Sequence, residues 1–197
     1  MRMRLTVEPV RSLADLTELI SLHQAVFERE LGLALPRLRA RAKNSIMHLV
    51  ARCDQAPGIV GAVTIIETDR TLVPREAYGL PFPSTERAAR YTHMAVLPRY
   101  RGLNIPVRLL LEARRLFVTP RRIHYTWLLY DAARAGSSRL CSILGYRVAP
   151  VVVDAGYGPC CVLSRDEFLA AAARETSPNS SRLPRAVRQL PQWRRAS

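Results

Sequence analysis

The stretch RYTHMAVLPRYRGLNIPVRLLLEARRLF, residues 90–117, decides how the chain is read. Residues 89–96 predict a strand with Tyr91, His93 and Ala95 on one face and Thr92, Met94 and Val96 on the other. A tight turn over residues 97–104 holds Arg99, Arg101 and Gly102. Asn104 is a capping residue type and Pro106 suits a first helical turn, so a helix follows. Val107, Leu110, Leu111, Phe117 and Val118 give it an apolar face, Arg108, Glu112 and Arg115 an outer one, and Pro120 ends it. Strand, turn and helix together offer free backbone N–H groups and two positive charges at a helix start. That is a site for a phosphate or pyrophosphate.

Working outward, IHYTWLLY (residues 123–130) predicts a strand parallel to the first, because the helix between them makes a βαβ unit. Toward the N-terminus, residues 4–10 predict a strand. Ser12 with Asp15 predicts a capped helix carrying Leu13, Leu16, Leu19, Ile20, Val26 and Phe27 and ending by Gly32. Residues 48–52 and 58–67 predict a hairpin turned at Pro57-Gly58, with Gly61 marking a bulge or a close approach. Residues 68–88 carry Pro74, Gly79, Pro81 and Pro83, too long a loop to be incidental in a compact domain; with Tyr78, Leu80 and Phe82 it reads either as a pocket cover or as plain surface. Beyond the parallel strand, Ser137 or Ser138 caps a short helix over residues 140–144 that stops at Gly145. A last hairpin spans residues 147–153 and 157–163, and residues 166–174 predict a short helix. No internal repeat is present. The division expected is one domain over residues 1–173 and a Pro-, Ser- and Arg-rich tail over residues 174–197 that lacks the composition to fold.

The 197 residues suffice for a real core, and no apolar run approaches the ~18 residues of a membrane span. The N-terminal MRMRLTVEPV has no apolar segment or small-residue cleavage site, so a cytoplasmic protein is expected. Cys53, Cys141, Cys160 and Cys161 form no C-x-x-C pair and read as reduced thiols rather than metal ligands. The formal net charge is +14, and Lys43 is the only lysine among 30 basic residues. Either the arginine bias is compositional or it serves an acidic partner: nucleic acid, an anionic membrane, a phosphorylated cofactor or a carrier protein. The run Arg37, Arg39, Arg41 and Lys43 is a solvated face or such a contact. Charge alone does not choose.

The element order, with Arg99, Gly102 and Asn104 at the three positions of a [Q/R]-x-x-G-x-[G/A] turn and a later Leu144-Gly145-Tyr146, resembles the GCN5-related N-acetyltransferase (GNAT) superfamily. The resemblance covers residues 5–168. It implies an α/β (α+β) fold: a central mixed, mostly antiparallel sheet, flanked by helices, whose parallel strands four and five splay apart. It implies that a pantetheine thioester lies between those strands with its phosphate on the turn. The candidate donor-binding residues are therefore Met94, Val96, Arg99, Arg101, Gly102, Leu103 and Asn104, with no metal. Asn104 departs from the motif's Gly or Ala, and Cys141 stands where the family usually carries a tyrosine that returns a proton to the leaving thiolate. The run Val26-Phe27-Glu28-Arg29-Glu30-Leu31-Gly32 resembles the V-F-x-x-E-L-G of acyl-homoserine lactone synthases and long-chain N-acyl amino acid synthases. Those enzymes take fatty acyl groups from the acidic acyl carrier protein. They commonly carry E-x-S-R at the start of strand four, where this chain has Arg90, Tyr91, Thr92 and His93.

Within that resemblance the expected activity is an N-acyltransferase: a fatty acyl group passes from acyl carrier protein or coenzyme A to an amine of an amino acid, polyamine or peptide side chain. The backbone N–H near Met94 or Val96 polarises the thioester carbonyl, and His93 is the first candidate base, with Glu86 next and Glu67 and His124 behind it. Each has an ordinary alternative, packing for the histidines and a surface charge for Glu86. Met94, Trp127, Leu129 and the helix face are either an acyl pocket or plain core. Two other functions compete: a coenzyme A-dependent acetyltransferase of a small amine or protein, and a non-catalytic GNAT-fold module for an acidic partner. Nucleic acid ranks low as that partner, since the arginines are spread along the chain with no recognition helix.

Overall fold

The strands Leu5–Pro9 (β1), Ile46–Cys53 (β2), Ile59–Thr68 (β3), Ala88–Val96 (β4), Tyr125–Leu129 (β5), Arg147–Val148 (β6) and Cys160–Ser164 (β7) form one sheet in the order β1-β2-β3-β4-β5-β7-β6. Every neighbouring pair is antiparallel except β4 and β5, which run parallel as the βαβ argument requires. The structure is a computed structural model, and it describes residues 4–33, 46–68, 87–129, 135–148 and 160–164. The basic run at residues 37–43, most of the long loop with Glu86, the 154–156 turn, the expected helix at residues 166–174 and the tail all lie outside the described residues.

Helix α1, Leu13–His23, starts where the sequence says it should. The Ser12 hydroxyl accepts from the Asp15 amide and the Asp15 carboxylate accepts from the Ser12 amide, a complete capping box contributing about 1 kcal/mol. The Arg11 amide first, then the Ser12 hydroxyl and amide and Arg52, hold the Asp15 carboxyl down to about 2. The helix runs on as a wider π-helical turn, Gln24–Glu30. Its buried Leu19, Leu22 and Val26 pack with Val50, Ile59, Ala62 and Ala95 on one face of the sheet.

Helix α2, Ile105–Ala113, likewise runs on in a π-helical turn, Arg114–Val118, and covers the other face. Ile105, Leu109, Leu110, Ala113, Phe117 and Val118 are buried there with Val63, Ile65, Tyr91 and Leu128. The inward stripe is therefore shifted from the expected one: Leu109 and Ala113 are core, whereas Val107 and Leu111 are only partly buried. Glu112 and Arg115 pair on the outside as expected. Gly61 is where α2 comes closest to the sheet: a Cβ there would sit 2.8 Å from Ile105 Cγ2. The adjoining register shift between Ala51 and Arg52 makes it both a close approach and a bulge neighbour.

Two expectations need correction. Strict alternation fails in β4, because the pairing with β3 slips between Ala62 and Thr64, where β4 carries an extra residue. His93 occupies that bulge with φ +50°. Tyr91 therefore packs in the same cluster as Met94 and Val96, and Ala95 in the opposite one. The last helix, α3, spans Ala135–Ile143, so Ser137 and Ser138 lie inside it rather than capping it.

Candidate active site

The site is built where two irregularities of β4 coincide. Its hydrogen-bonded pairing with β5 stops after Tyr91↔Leu128, and two residues later comes the His93 bulge. From Thr92 to Val96 the β5 side of β4 has no strand partner among the described residues. The Leu97 amide donates to the Val60 carbonyl of β3, so alternation turns the Val96 amide away from β3, toward the side β5 has left. This is the splay anticipated from the resemblance.

At its far end β4 enters the turn. The Tyr100 and Arg101 amides donate to the Leu97 and Pro98 carbonyls, which closes a single 3-10 turn, Pro98–Tyr100. The amides of Gly102, Leu103 and Asn104 make no backbone hydrogen bond among the described residues, and all three residues are exposed. Gly102 has φ +84° with open space around its Cβ position, so backbone conformation and not crowding requires glycine there. Asn104 does not cap as expected. It sits at the N-cap in a left-handed conformation, φ +56°, without a side-chain hydrogen bond to the helix. Successive amides around left-handed residues at a helix start form an anion-accepting concavity.

Of the two expected free charges, one is committed. Arg101 makes bonds of 2.6 Å to each carboxylate oxygen of Glu30 and donates its Nε to the Val96 carbonyl. Glu30 is the acidic residue of the V-F-x-x-E-L-G run, so that motif ties the end of α1 to the turn after β4. Arg99 lies over the Tyr100 ring at 4.8 Å, exposed.

On the α1 face, His93 meets His23 of α1 edge to face, ring centroids 6.1 Å apart. His23 is 1% exposed; its ring approaches the His93 backbone without a well-formed hydrogen bond, and the buried His93 Nδ1 has no hydrogen-bond partner. Next to them His48 Nδ1 and Thr64 Oγ1 share a 2.9 Å hydrogen bond. Burial pushes the His93 imidazole down to about 4, helped by the Arg90 charge and by His48. Burial does the same to His23, also to about 4, with His93 and His48 adding to it. Both rings are neutral at neutral pH, so each carries a lone pair.

The fallback bases are not brought here. Glu67 is held by Arg87 and Arg121. His124 is exposed just before β5, at the end where the strands are still paired. Glu86 lies outside the described residues. Of the expected acyl pocket, the Leu129 side chain lies outside the description, and Met94 and Trp127 face different surroundings. Met94 packs against the α2 cluster, whereas Trp127 lies beneath the Arg90 guanidinium, 5.0 Å from its ring centroid. Cys141 is a buried core cysteine outside any disulfide. Beside it runs a polar cluster that sequence reasoning missed: the Tyr146 hydroxyl is 3.0 Å from Thr126 Oγ1, and the buried Arg114 charge acts on both Tyr91 and Tyr146. Burial nevertheless raises both phenols, so they stay protonated. The signal available was the L-G-Y tyrosine itself.

No protein-family model matches the chain, and no curated protein sequence is detectably similar to it. Solved structures are. FeeM, an N-acyl amino acid synthase from uncultured soil microbes, superimposes with a TM-score of 0.66 at 13% identity, covering 86% of this chain and 94% of its own. An acetyltransferase of the GNAT family from Staphylococcus aureus MU50 gives 0.60 at 15% identity, over 82% and 99%. Arabidopsis thaliana NAA60, in complex with acetyl-CoA, gives 0.61 at 14% identity, over 83% and 99%. The chain has the GNAT fold. Among the described residues no helix is long and apolar enough to cross a membrane, and no group of three His, Cys, Asp or Glu side chains could hold a metal ion.

Proposed function

We propose that this protein is an N-acyltransferase that moves an acyl group, a fatty one in our reading, from a pantetheine thioester to the amine of an amino acid or peptide side chain. One observation carries the reading: the parting of β4 from β5 falls beside a bulge that holds a neutral, unpaired histidine. In this reading the Gly102, Leu103 and Asn104 amides, with Arg99, receive the phosphate end of the donor. Arg101 shapes the turn through Glu30. The Met94 or Val96 amide points at the thioester oxygen and stabilises the charge that develops on it. His93 takes the proton from the attacking nitrogen. The C–N bond forms, the C–S bond breaks, and the proton ends on the departing thiol.

Acyl carrier protein is our preferred donor. The net charge of +14 suits an acidic carrier, and the Glu30 motif resembles enzymes that use one. The test is a donor matrix, with acyl carrier protein bearing C2 to C16 chains set against the matching coenzyme A thioesters and a pool of amines. Long-chain carrier thioesters should turn over fastest. Equal or better turnover of acetyl-coenzyme A would instead assign a coenzyme A-dependent acetyltransferase. Binding of acidic partners without any transfer would leave a non-catalytic module.

A further inference from the structure

We infer that His48 on β2 and Thr64 on β3 form the outlet by which the proton taken up at His93 leaves for solvent. The inference rests on the acyl-transfer reading above, in which His93 is the base, and goes beyond it by assigning the step that follows.

Proton accounting is the first support. An α-amino group titrates near ~8 and a lysine-type amine near ~10.4, so at neutral pH either acceptor arrives as an ammonium ion. On the way to an amide its nitrogen gives up two protons. The C–N bond forms, the C–S bond breaks, the departing thiolate takes one proton, and the other has to reach solvent. His93 is a poor place to leave that second proton, because burial and the Arg90 charge disfavour its imidazolium. Its two charged or titratable neighbours on the α1 face do not remove it. Arg90 has no acceptor atom for it. His23 lies buried beneath α1, so a proton passed there has no way out. Among the described carboxylates, Glu8, Asp15 and Glu18 are held by Arg52, Glu30 by Arg101, Glu67 by Arg87 and Glu112 by Arg115.

Geometry is the second support. His48, Thr64 and Thr92 are register partners in one row across β2, β3 and β4, and the bulge residue His93 follows Thr92 directly. Ala62 packs under α1, so alternation puts Thr64 on that face too, the face on which His93 meets His23. The Thr64 side chain is buried and shares its 2.9 Å hydrogen bond with His48 Nδ1, whereas the His48 ring is only half-buried. The row therefore runs from the bulge, through a shielded hydroxyl, to an imidazole that reaches solvent. His48 is also near enough for its charge to act on both His93 and His23. A hydroxyl accepts one proton as it donates another. Thr64 takes the proton from His93, directly or across one water, and gives its own to His48 Nδ1. The His48 ring then loses its Nε2 proton to solvent, and Thr64 ends as it began.

The experiment measures steady-state acyl transfer by the full chain, with the best thioester and amine of the donor matrix, in dilute buffer and with imidazole added. Background transfer by imidazole alone is subtracted. His48→Gln keeps a side chain that can hydrogen-bond Thr64 but carries no proton at these pH values. It should lower kcat by about 10-fold, less than the loss of the base itself, and leave KM for donor and amine unchanged. Added imidazole should restore most of that rate saturably, because a mobile base replaces the missing one; a merely structural histidine would show no such rescue. Thr64→Val, which removes the hydroxyl and keeps the shape, should lower kcat to the same extent. Wild-type kcat in both variants, or a loss in His48→Gln that imidazole does not restore, would overturn the inference and leave the acyl-transfer reading standing. If the wild-type chain moves no acyl group from any carrier or coenzyme A thioester, that reading fails and the outlet fails with it.

Discussion

The two faces of the sheet at β4 are built differently. On the α2 face, Ile105, Leu109, Phe117 and Ile123 are fully buried against Val60, Val63 and Ile65, and the buried Thr126 and Tyr146 hydroxyls there bond to each other. On the α1 face the same strands carry His48, Thr64, Arg90 and His93, with His23 of α1 above them, and several of their polar atoms have no partner. A fold tolerates unpaired buried polar groups where a ligand completes them and avoids them elsewhere. In the proposed reading the contrast separates a face that holds the protein together from a face that acts.

Substitutions on each face should separate the two roles. The largest effect is expected from Phe117→Ala, which should cost about 3–5 kcal/mol by chemical denaturation, because a fully buried ring leaves a cavity in the α2 face. His93→Ala on the acting face should lower kcat by about 100-fold or more while the denaturation midpoint moves little. A loss of stability as large as that of Phe117→Ala would show that the histidine is structural.

Acid should expose the acting face in stability measurements as well. His23 titrates near its ordinary 6.5 when unfolded and about 4 when folded, so the unfolded chain binds the extra proton between those values. Stability is intact above pH ~6.5, falls as the pH drops toward 4 and levels below it, by on the order of 3 kcal/mol for His23. His23→Leu should flatten that slope, and an unchanged slope would place the titrating group elsewhere. Gly61→Ala should then cost about 1–3 kcal/mol by chemical denaturation, since the new Cβ meets Ile105, and much less in an Ile105→Ala background where that contact is gone; an equal cost in both backgrounds would place the strain elsewhere. The smallest effect is expected from Glu30→Gln. The Arg101 pair is partly exposed, so stability should change by less than about 1 kcal/mol while KM for the donor rises.

Much of the scaffold was legible in the sequence. The Ser12–Asp15 box, the Pro57-Gly58 hairpin, the parallel β4–β5 pair and the close approach at Gly61 follow from local chemistry and periodicity, and the structure reproduces them. The acting face was less legible, for a physical reason. A bulge adds one residue and reverses which side chains share a face, so alternation misplaced Tyr91 relative to Ala95. Nothing in residues 90–96 signals that slip, since no glycine marks it. Long-range pairings were equally hidden. The Arg101–Glu30 bond spans 71 positions, and the stacking of Arg90 on Trp127 depends on the register between two strands. Reading the sequence singles out His93 and the turn as candidates, but not that Arg101 is bonded to Glu30, nor that Arg90 lies over Trp127.

The most direct test is single-turnover acyl transfer by the full chain, with long-chain acyl carrier protein as donor and a mixed amino acid pool as acceptor, run with wild type and with His93→Ala. The account predicts an N-acyl product at a rate set by the wild-type enzyme and about 100-fold slower in the folded variant. Equal rates would remove His93 from the chemistry, and the absence of product from every carrier and coenzyme A thioester would contradict the acyltransferase reading itself.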